Sequence, residues 1–400
     1  MVCRVTAGGS AADAATASAV RLPVTAFGNG ALELPAPRAT AVAVAVAGGV
    51  LRAGTEEIAD HRQHPATIRA FAKHHPRPPT VTEDARMRPF RFLATVNDNR
   101  RFDGLTSLAR KAEAVGCAAF VLPDHLTAYA PIPPLAMVAA ATERLRVGTF
   151  VLNIGLRHPA VLAQDLATLD ALSGGRLEIG LGAGWNKPEH DAIGIPFEPV
   201  GVRIKRLTEG IAILKGCFAE GPFSFSGEHY TVTDHVGAPA PAQRPHPPFF
   251  LGGGGKRLLT LAAREAQIVG LAPRLVQGDR PGLEARSMTA AATEEKIGWI
   301  REAAGDRFDG LELNTYSSGG PTVVTGDPRA AARRRADHLR EQTGVELTVE
   351  EILDSPHMFI GSVKDLTRKF VELRERFGIS SFLIDDLDAL APVVEELAGR

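Results

Sequence analysis

The stretch Ser173-Gly-Gly-Arg-Leu-Glu-Ile-Gly-Leu-Gly-Ala-Gly-Trp185 decides the interpretation of the fold. A turn at its start leads into a short apolar run, and that run ends in alternating glycines at Gly180, Gly182 and Gly184. The pattern predicts a strand whose carboxyl end must lack side chains. Because glycine packs nothing and costs backbone entropy in a strand, the pattern indicates either a tight barrel corner or a flat group lying against the backbone.

A dinucleotide-binding fingerprint is the competing interpretation of the same glycines. That fingerprint requires a G-x-G-x-x-G motif that opens directly into a helix. Here the residues 185–188, Trp-Asn-Lys-Pro, intervene. We therefore reject a Rossmann fold.

Strand and helix patterns alternate from Arg88 to the end of the chain. The predicted strands are 90–96, 118–122, 145–152, 177–182, 249–252, 268–271, 310–313 and 381–384. Strands that are each followed by a helix, with no meander among them, predict an α/β fold built as a single (β/α)8 TIM barrel. Residues 317–355 exceed an ordinary connection and carry helical patterns of their own, which predicts an insertion before the last strand.

Residues 1–86 differ from the rest of the chain. Ala, Gly, Thr and Pro dominate there, and apolar periodicity is weak. We interpret them as a poorly ordered extension and place the enzyme domain at 87–400. Met87 stands immediately before the first strand pattern, so we also hypothesise that the native chain begins there and that 1–86 is a start-site artefact.

The bulk composition limits the classes of partner. Lys and Arg number 45 against 46 Asp and Glu, a formal net charge of -1, so no overall basic field exists to hold nucleic acid. No apolar run approaches the roughly 18 residues that span a bilayer, so we expect no membrane association. The 3 cysteines are scattered, which favours a reducing compartment. The composition predicts a soluble cytoplasmic protein.

In a barrel of this kind the active site lies at the carboxyl ends of the strands. The polar and aromatic residues just past the predicted strands are Asn97, Asp98, Asp124, His125, Asn153, Arg157, Trp185, Asn186, Glu189, Asn314, Thr315, Tyr316, Asp385 and Asp386. We select His125 as the proton-transferring residue, because imidazole titrates nearest neutrality. No H-E-x-x-H motif, clustered His/Cys spacing or G-x-S-x-G elbow occurs, so we expect no metal site.

Four consecutive glycines follow the fifth predicted strand: Gly252, Gly253, Gly254 and Gly255. Lys256 and Arg257 then open a helix. Glycines let backbone N–H groups turn toward an anion, and the positive end of the helix dipole points to the same place. The pattern predicts a phosphate site. We expect a β-branched residue at Gly253 or Gly254 to weaken cofactor binding while leaving the barrel folded.

Several passages together resemble the luciferase-like flavin and deazaflavin oxidoreductases. They are residues 120–125 (Phe-Val-Leu-Pro-Asp-His), 148–153 with Arg157 and Pro159, 172–185, the glycine quartet with the helix containing 262–266, and 360–362 (Ile-Gly-Ser). Within that family the chain looks most like the branch that uses the deazaflavin coenzyme F420. The resemblance implies a (β/α)8 barrel, a homodimer, a ring system across the strand ends and a phosphate at the loop after the fifth strand.

The resemblance also implies roles for individual residues. His125 would lie beside the reactive carbon of the deazaflavin as the catalytic residue, and Asp124 would hold the ring. The Phe150–Val151 bond matches a position where relatives have a non-prolyl cis peptide bond. Further cofactor-binding residues on this basis are Asn153 and Ala183 at the ring, and Gly252, Gly253, Gly254, Gly255 and Lys256 at the phosphate.

Two departures from the family bear on the substrate. Relatives that oxidise a sugar phosphate have Glu where this chain has Trp185, and Trp where it has Tyr129. We therefore expect a small apolar or aromatic organic substrate instead. Three functions stay open: an F420-dependent oxidoreductase, an FMN-dependent monooxygenase supplied with reduced flavin by a separate reductase, and a non-catalytic flavin-binding relative.

Overall fold

The computed structural model describes residues 87–96, 103–276 and 282–400. The extension predicted at 1–86 lies outside these ranges, as do the candidate site residues Asn97 and Asp98. Within the described ranges, no helix is both long enough and apolar enough to cross a membrane.

The described part of the chain forms a closed parallel barrel. Its strands are β1 (Arg91–Ala94), β2 (Ala119–Leu122), β3 (Arg146–Thr149), β4 (Leu177–Gly182), β5 (Phe249–Gly253), β6 (Ile268–Leu271), β7 (Glu312–Tyr316) and β8 (Ile379–Ile384). They are hydrogen-bonded in the order β3-β2-β1-β8-β7-β6-β5-β4, and β3 pairs with β4 to close the ring. A two-residue strand, Leu152–Asn153, continues β3 and also pairs with β4. The predicted TIM barrel is confirmed.

Helices surround the barrel. They are α1 (Leu105–Ala114), α2 (Ile132–Ala141), α3 (Pro159–Leu172), α4 (Lys187–Ile193), α5 (Val200–Phe218), α6 (Lys256–Glu265), α7 (Ala290–Ala304), α8 (Pro328–Thr343), α9 (Val349–Asp354), α10 (Val363–Phe377) and α11 (Leu387–Leu397). Helix α10 shows why such segments fold locally. Ser362 and Asp365 form a capping box at its start, and Gly378 ends it in the left-handed region at φ 70°.

The predicted insertion is present between β7 and α10. It contains α8, α9 and the short strand Val323–Val324, which pairs with Ile360–Gly361. Its apolar side chains pack with Ala285 and Met288, from the segment before α7, into a small separate core that also contains Ala331, Ala332, Leu339, Leu347, Ile352, Met358 and Ile360. The insertion is thus packed as a satellite of the barrel.

The glycines at the end of β4 are explained by the close approach of the neighbouring chain at the end of β3. A Cβ atom on Gly180 would lie 1.8 Å from the carbonyl oxygen of Thr149, and one on Gly182 would lie 2.8 Å from Cγ2 of Val151. Both separations are shorter than real Cβ contacts, so only glycine lets the two strands approach this closely. The structure therefore supports the tight-corner interpretation of these glycines.

An ion-pair network lies at the amino-terminal ends of the barrel strands. Arg91 on β1 donates to Glu312 at 2.7 and 2.8 Å and to Glu178 at 2.5 Å, and Arg146 donates to Glu178 at 2.6 Å. Burial alone would lower the pKa of the Arg91 guanidinium, but the two carboxylates outweigh it and raise that pKa. Both glutamate side chains are buried. The network closes the end of the barrel opposite the candidate site.

His357 gives the fold a predicted sensitivity to acid. Its ring is fully buried and lies 3.1 Å from Oγ1 of Thr315 and 3.2 Å from Oγ of Ser318. Burial, and then the charge of Lys296, lower the pKa of His357 to about 3. Below pH 6.5 the imidazole of His357 is therefore protonated in the unfolded chain but stays neutral in the folded chain. The stability contributed by neutral His357 is for this reason lost as the pH falls toward 3.

We expect the free energy of unfolding to fall more steeply in the wild type than in His357→Gln between pH 6.5 and 4. The difference in slope should reach about 1.4 kcal/mol per pH unit, the value for one proton. Urea denaturation at several pH values measures both slopes. Equal slopes in the two proteins would show that His357 does not carry this effect.

Candidate functional site

His125 lies at the carboxyl end of β2, where the chain leaves the barrel core. Its side chain is 26% exposed, and its Nδ1 lies 3.0 Å from Oε1 of Glu189 on α4, which is 6% exposed. The ring of Trp185 approaches edge-on, with 5.8 Å between the centroids. Among the described residues, no hydrogen-bond partner contacts Nε2 of His125. One ring nitrogen is thus held by a buried carboxylate while the other is available for proton transfer.

Asp124 joins the end of β2 to the end of β3. Its Oδ2 accepts hydrogen bonds from the backbone N–H of Asn153 at 3.1 Å and from Nη1 of Arg157 at 2.6 Å, while Oδ1 accepts from Nη2 of Arg157 at 3.1 Å. The carboxylate is 6% exposed. A bidentate Arg–carboxylate pair is geometrically specific, so Asp124 fixes the relative position of these two strand ends.

The side chain of Asn153 is oriented by two contacts. Its Oδ1 accepts from the N–H of Gly155 at 3.0 Å, which places the amide Nδ2 at 2.9 Å from Nε2 of His190 on α4. A Cβ atom on Gly184, at φ +76°, would lie 2.6 Å from the same Oδ1. The third glycine of the opening motif therefore leaves room for the Asn153 amide.

The Phe150–Val151 peptide bond is cis, as the resemblance to the family implied. It lies between β3 and the short strand Leu152–Asn153. The ring of Phe150 packs against Phe250 with centroids 4.9 Å apart, and edge-on against Tyr316 at 5.6 Å. These three rings give the strand-end region an aromatic surface.

Arg203 on α5 is a structural contributor that the sequence reasoning missed. Its guanidinium donates to the carbonyl oxygens of Ala183 and Gly184 and lies 4.1 Å from the ring centroid of Phe197. Burial lowers the pKa of Arg203. The residue therefore holds the backbone just past β4, where Ala183 was predicted to contact the cofactor. No motif in the sequence marks it, because it lies on a helix 20 positions along the chain from Ala183.

The glycine quartet occupies the end of β5 and the start of α6. Gly255 is the N-cap of α6, and no side chain caps the helix; the first turn carries Lys256 and Arg257 and no acidic residue. A Cβ atom on Gly255 would meet nothing within 4 Å. Uncapped N–H groups beside open space are the geometry that an anion requires.

The surroundings of Gly253 and Gly254 contradict the expectation that a β-branched residue at either position would leave the barrel folded. A Cβ atom on Gly254 would lie 2.3 Å from the carbonyl oxygen of Pro273, and one on Gly253 would lie 2.5 Å from Cδ2 of Leu258. Substitution at Gly254 would thus displace neighbouring backbone, and substitution at Gly253 would press into the first turn of α6. Gly255 is the position at which binding can be tested without disturbing the fold.

Several candidates from the sequence do not reach the site. Asn314 and Thr315 are fully buried within β7, which extends beyond the predicted end of that strand. Asp386 caps α11 by accepting from the N–H of Ala389 at 3.0 Å. Asp385 accepts from the backbone N–H of Thr322 at 2.9 Å and also from its hydroxyl. The site that forms is therefore concentrated at the ends of β2, β3, β4 and β5.

Comparison with known proteins assigns the chain to a family. Residues 87–358 match the model of the luciferase-like monooxygenases, well over half of the chain. The chain belongs to the luciferase-like monooxygenase family. The resemblance seen in the sequence is thereby confirmed.

Members of this family that resemble the chain differ in cofactor. The chain is 41% identical over 125 residues to an FMNH2-dependent dimethylsulfone monooxygenase of Pseudomonas putida, covering 31% of this chain and 34% of that protein. It is 34% identical over 169 residues to an F420-dependent glucose-6-phosphate dehydrogenase of Kineococcus radiotolerans, covering 40% of this chain and 49% of that protein. These matches thus span half or less of each relative's length.

A solved structure supports the fold of the family. The coenzyme F420 dependent tetrahydromethanopterin reductase from Methanopyrus kandleri aligns with a TM-score of 0.60 and 20% identity, covering 77% of this chain and 96% of that one. At this identity the likeness bears on the fold alone.

Proposed function

We propose that the protein is a coenzyme F420-dependent oxidoreductase that transfers a hydride between the deazaflavin and a small apolar organic substrate. The observation that carries the proposal is the position of His125, with Nδ1 held by Glu189 and the imidazole exposed at the strand ends. A two-electron oxidation or reduction of an organic substrate moves a proton together with the hydride. His125 supplies that proton or accepts it.

The described residues fit the cofactor that this function requires. The uncapped start of α6 beside Gly255 would hold the phosphate, together with Gly252, Gly253, Gly254 and Lys256. The ring would lie against Asp124, Phe150, Val151, Asn153 and Ala183. When bound, the deazaflavin supplies the hydride donor or acceptor, and the protein supplies binding, orientation and the proton.

Trp185 supports an apolar substrate. Its side chain is 46% exposed and stands edge-on to His125. An exposed indole beside the proton-transferring group offers apolar contact area and no counter-charge for a phosphate. We therefore infer that the substrate is not a sugar phosphate, although one similar protein oxidises glucose 6-phosphate by name.

An FMN-dependent two-component monooxygenase is the second candidate function. It is favoured by the 41% identity to the FMNH2-dependent enzyme. In that case a separate reductase would supply reduced flavin. A homodimer and a cytoplasmic location also stay predictions under either function.

Equilibrium titration of the purified protein with F420 and with FMN tests the choice. We expect F420 to bind at least about tenfold more tightly, a difference of about 1.4 kcal/mol. Tighter binding of FMN would establish the second candidate. Binding of either cofactor without any turnover would favour the third possibility, a non-catalytic flavin-binding relative.

Gly255→Val should weaken cofactor binding about 10- to 100-fold, because two methyl groups would occupy the space in front of the α6 N–H groups. The backbone at Gly255 has φ −108° and ψ 149°, which valine adopts readily, so the fold should be preserved. Fluorescence titration measures the affinity. Gly310→Val is the matched control, since its Cβ would also meet nothing within 4 Å and it lies before β7, at the other end of the barrel. Unchanged affinity in Gly255→Val would place the phosphate elsewhere.

A further inference from the structure

Helix α4 is a short helix that carries two buried side chains toward the site. Glu189 and His190 are adjacent on it and are 6% and 3% exposed. Glu189 contacts His125, and His190 contacts Asn153. A seven-residue helix thus reaches the ends of both β2 and β3.

Glu189 is unusual among the buried carboxylates near the strand ends. Asp124 is neutralised by Arg157 through two hydrogen bonds, at 2.6 and 3.1 Å. Glu189 has no such cation; within the described ranges its side-chain partner is the imidazole of His125. Burial of an ionised carboxylate is unfavourable unless a partner compensates, so the partner here must donate a proton or carry a positive charge.

We propose that Glu189 is a positioning residue that acts through His125. The proposal rests on the function inferred above. The carboxylate accepts the Nδ1–H of His125, which fixes the neutral ring as the tautomer with its lone pair on Nε2. With the bound cofactor as the hydride acceptor, Nε2 would take the proton that the substrate loses, and Glu189 would stabilise the imidazolium that forms. In the reverse direction the same imidazolium returns the proton to the substrate.

The charges around His125 make this assignment specific. The preceding residue, Asp124, is paired with Arg157, so the two charges cancel. On α4 itself, Lys187 and Asp191 pair with each other and are more than half exposed. His190 points to Asn153. Glu189 is therefore the uncompensated charge that His125 meets.

Histidine NMR tests the proposal without a substrate. In protein labelled with ¹³C and ¹⁵N at its 12 histidines, the His125 signals are those that vanish in His125→Gln. We expect wild-type His125 to carry its proton on Nδ1 at high pH. In Glu189→Gln the side-chain amide oxygen can still accept that N–H, so the same tautomer should be kept.

Three further variants separate positioning from packing. Glu189→Ala should release the ring to the tautomer mixture of free imidazole, whereas Glu189→Asp should restore part of the preference for the proton on Nδ1. Asp191→Asn removes the same charge from an exposed position on the same helix and should leave the His125 tautomer unchanged. An unchanged tautomer of His125 in Glu189→Ala would overturn the proposal.

The outcome is separable from the proposed function. If the NMR changes appear but F420 and FMN both fail to bind, the proposed function is wrong while the pairing of Glu189 with His125 stands. If F420 binds and the NMR signals do not respond to Glu189, the function survives without this positioning residue.

Discussion

His125→Ala should lower turnover by a factor of about 10² to 10⁴, the usual contribution of a general acid or base, while cofactor affinity falls less than about tenfold. The reason is the position of the ring. Its Nδ1 is held at 3.0 Å from Glu189, and its side chain is partly exposed at the strand ends. This geometry does not give the imidazole a large share of cofactor binding, so the substitution should reduce the turnover rate more than the cofactor affinity.

Single-turnover reduction of F420, with a substrate found by screening apolar alcohols and aromatic compounds, measures the rate. Fluorescence titration measures the affinity separately. His338→Ala is a suitable control because His338 is exposed on α8, in the insertion. A His125→Ala variant that turns over normally but binds cofactor poorly would reverse the assignment. His125 would then hold the ring, and the proton would pass to water, Tyr129 or Glu189.

Arg91→Met should lower the free energy of unfolding by about 3–5 kcal/mol, the usual cost of removing one partner from a buried ion pair. Glu312 would lose both of its hydrogen bonds to Arg91, at 2.7 and 2.8 Å, whereas Glu178 would keep Arg146. The loss comes from a carboxylate left buried without a partner. Urea denaturation measures the change.

The double variant Arg91→Met with Glu312→Leu distinguishes charge from packing. Replacing a buried ion pair by apolar residues is often close to neutral, so the double variant should recover most of the stability. If it is as unstable as Arg91→Met alone, the lost volume and shape of the arginine side chain, not the uncompensated carboxylate, would explain the effect.

Much of the fold could be predicted from local sequence. The observed bounds of β4 and β6 agree with the predicted ones, and the helical patterns of the sequence predict 159–172, 290–304, 363–377 and 387–397, the observed bounds of α3, α7, α10 and α11. These segments combine a clear apolar period with terminal signals in the chain itself, such as Pro159 at the start of α3. The apolar periodicity of a helix or strand and the signals at its ends involve residues that are close in sequence. Each segment therefore contains the information that sets its own bounds.

The strand ends near the site were harder to predict. The third strand was expected to run to residue 152, but β3 ends at Thr149 before the cis bond. The seventh was expected to end at 313, but β7 continues to Tyr316 because Asn314, Thr315 and Tyr316 pair with β8. Strand length depends on such pairing with a neighbour, which the strand's own sequence does not contain.

By itself, the sequence determined the barrel, the insertion, the family and the residues that follow the strands, because each is written in periodicity, spacing or motif. Only the tertiary structure decided which of those residues meet. His125 and Glu189 are 64 positions apart, and Asp124 and Arg157 are 33 apart. A hydrogen bond depends on a separation of about 3 Å and on its direction, and closing the barrel sets both.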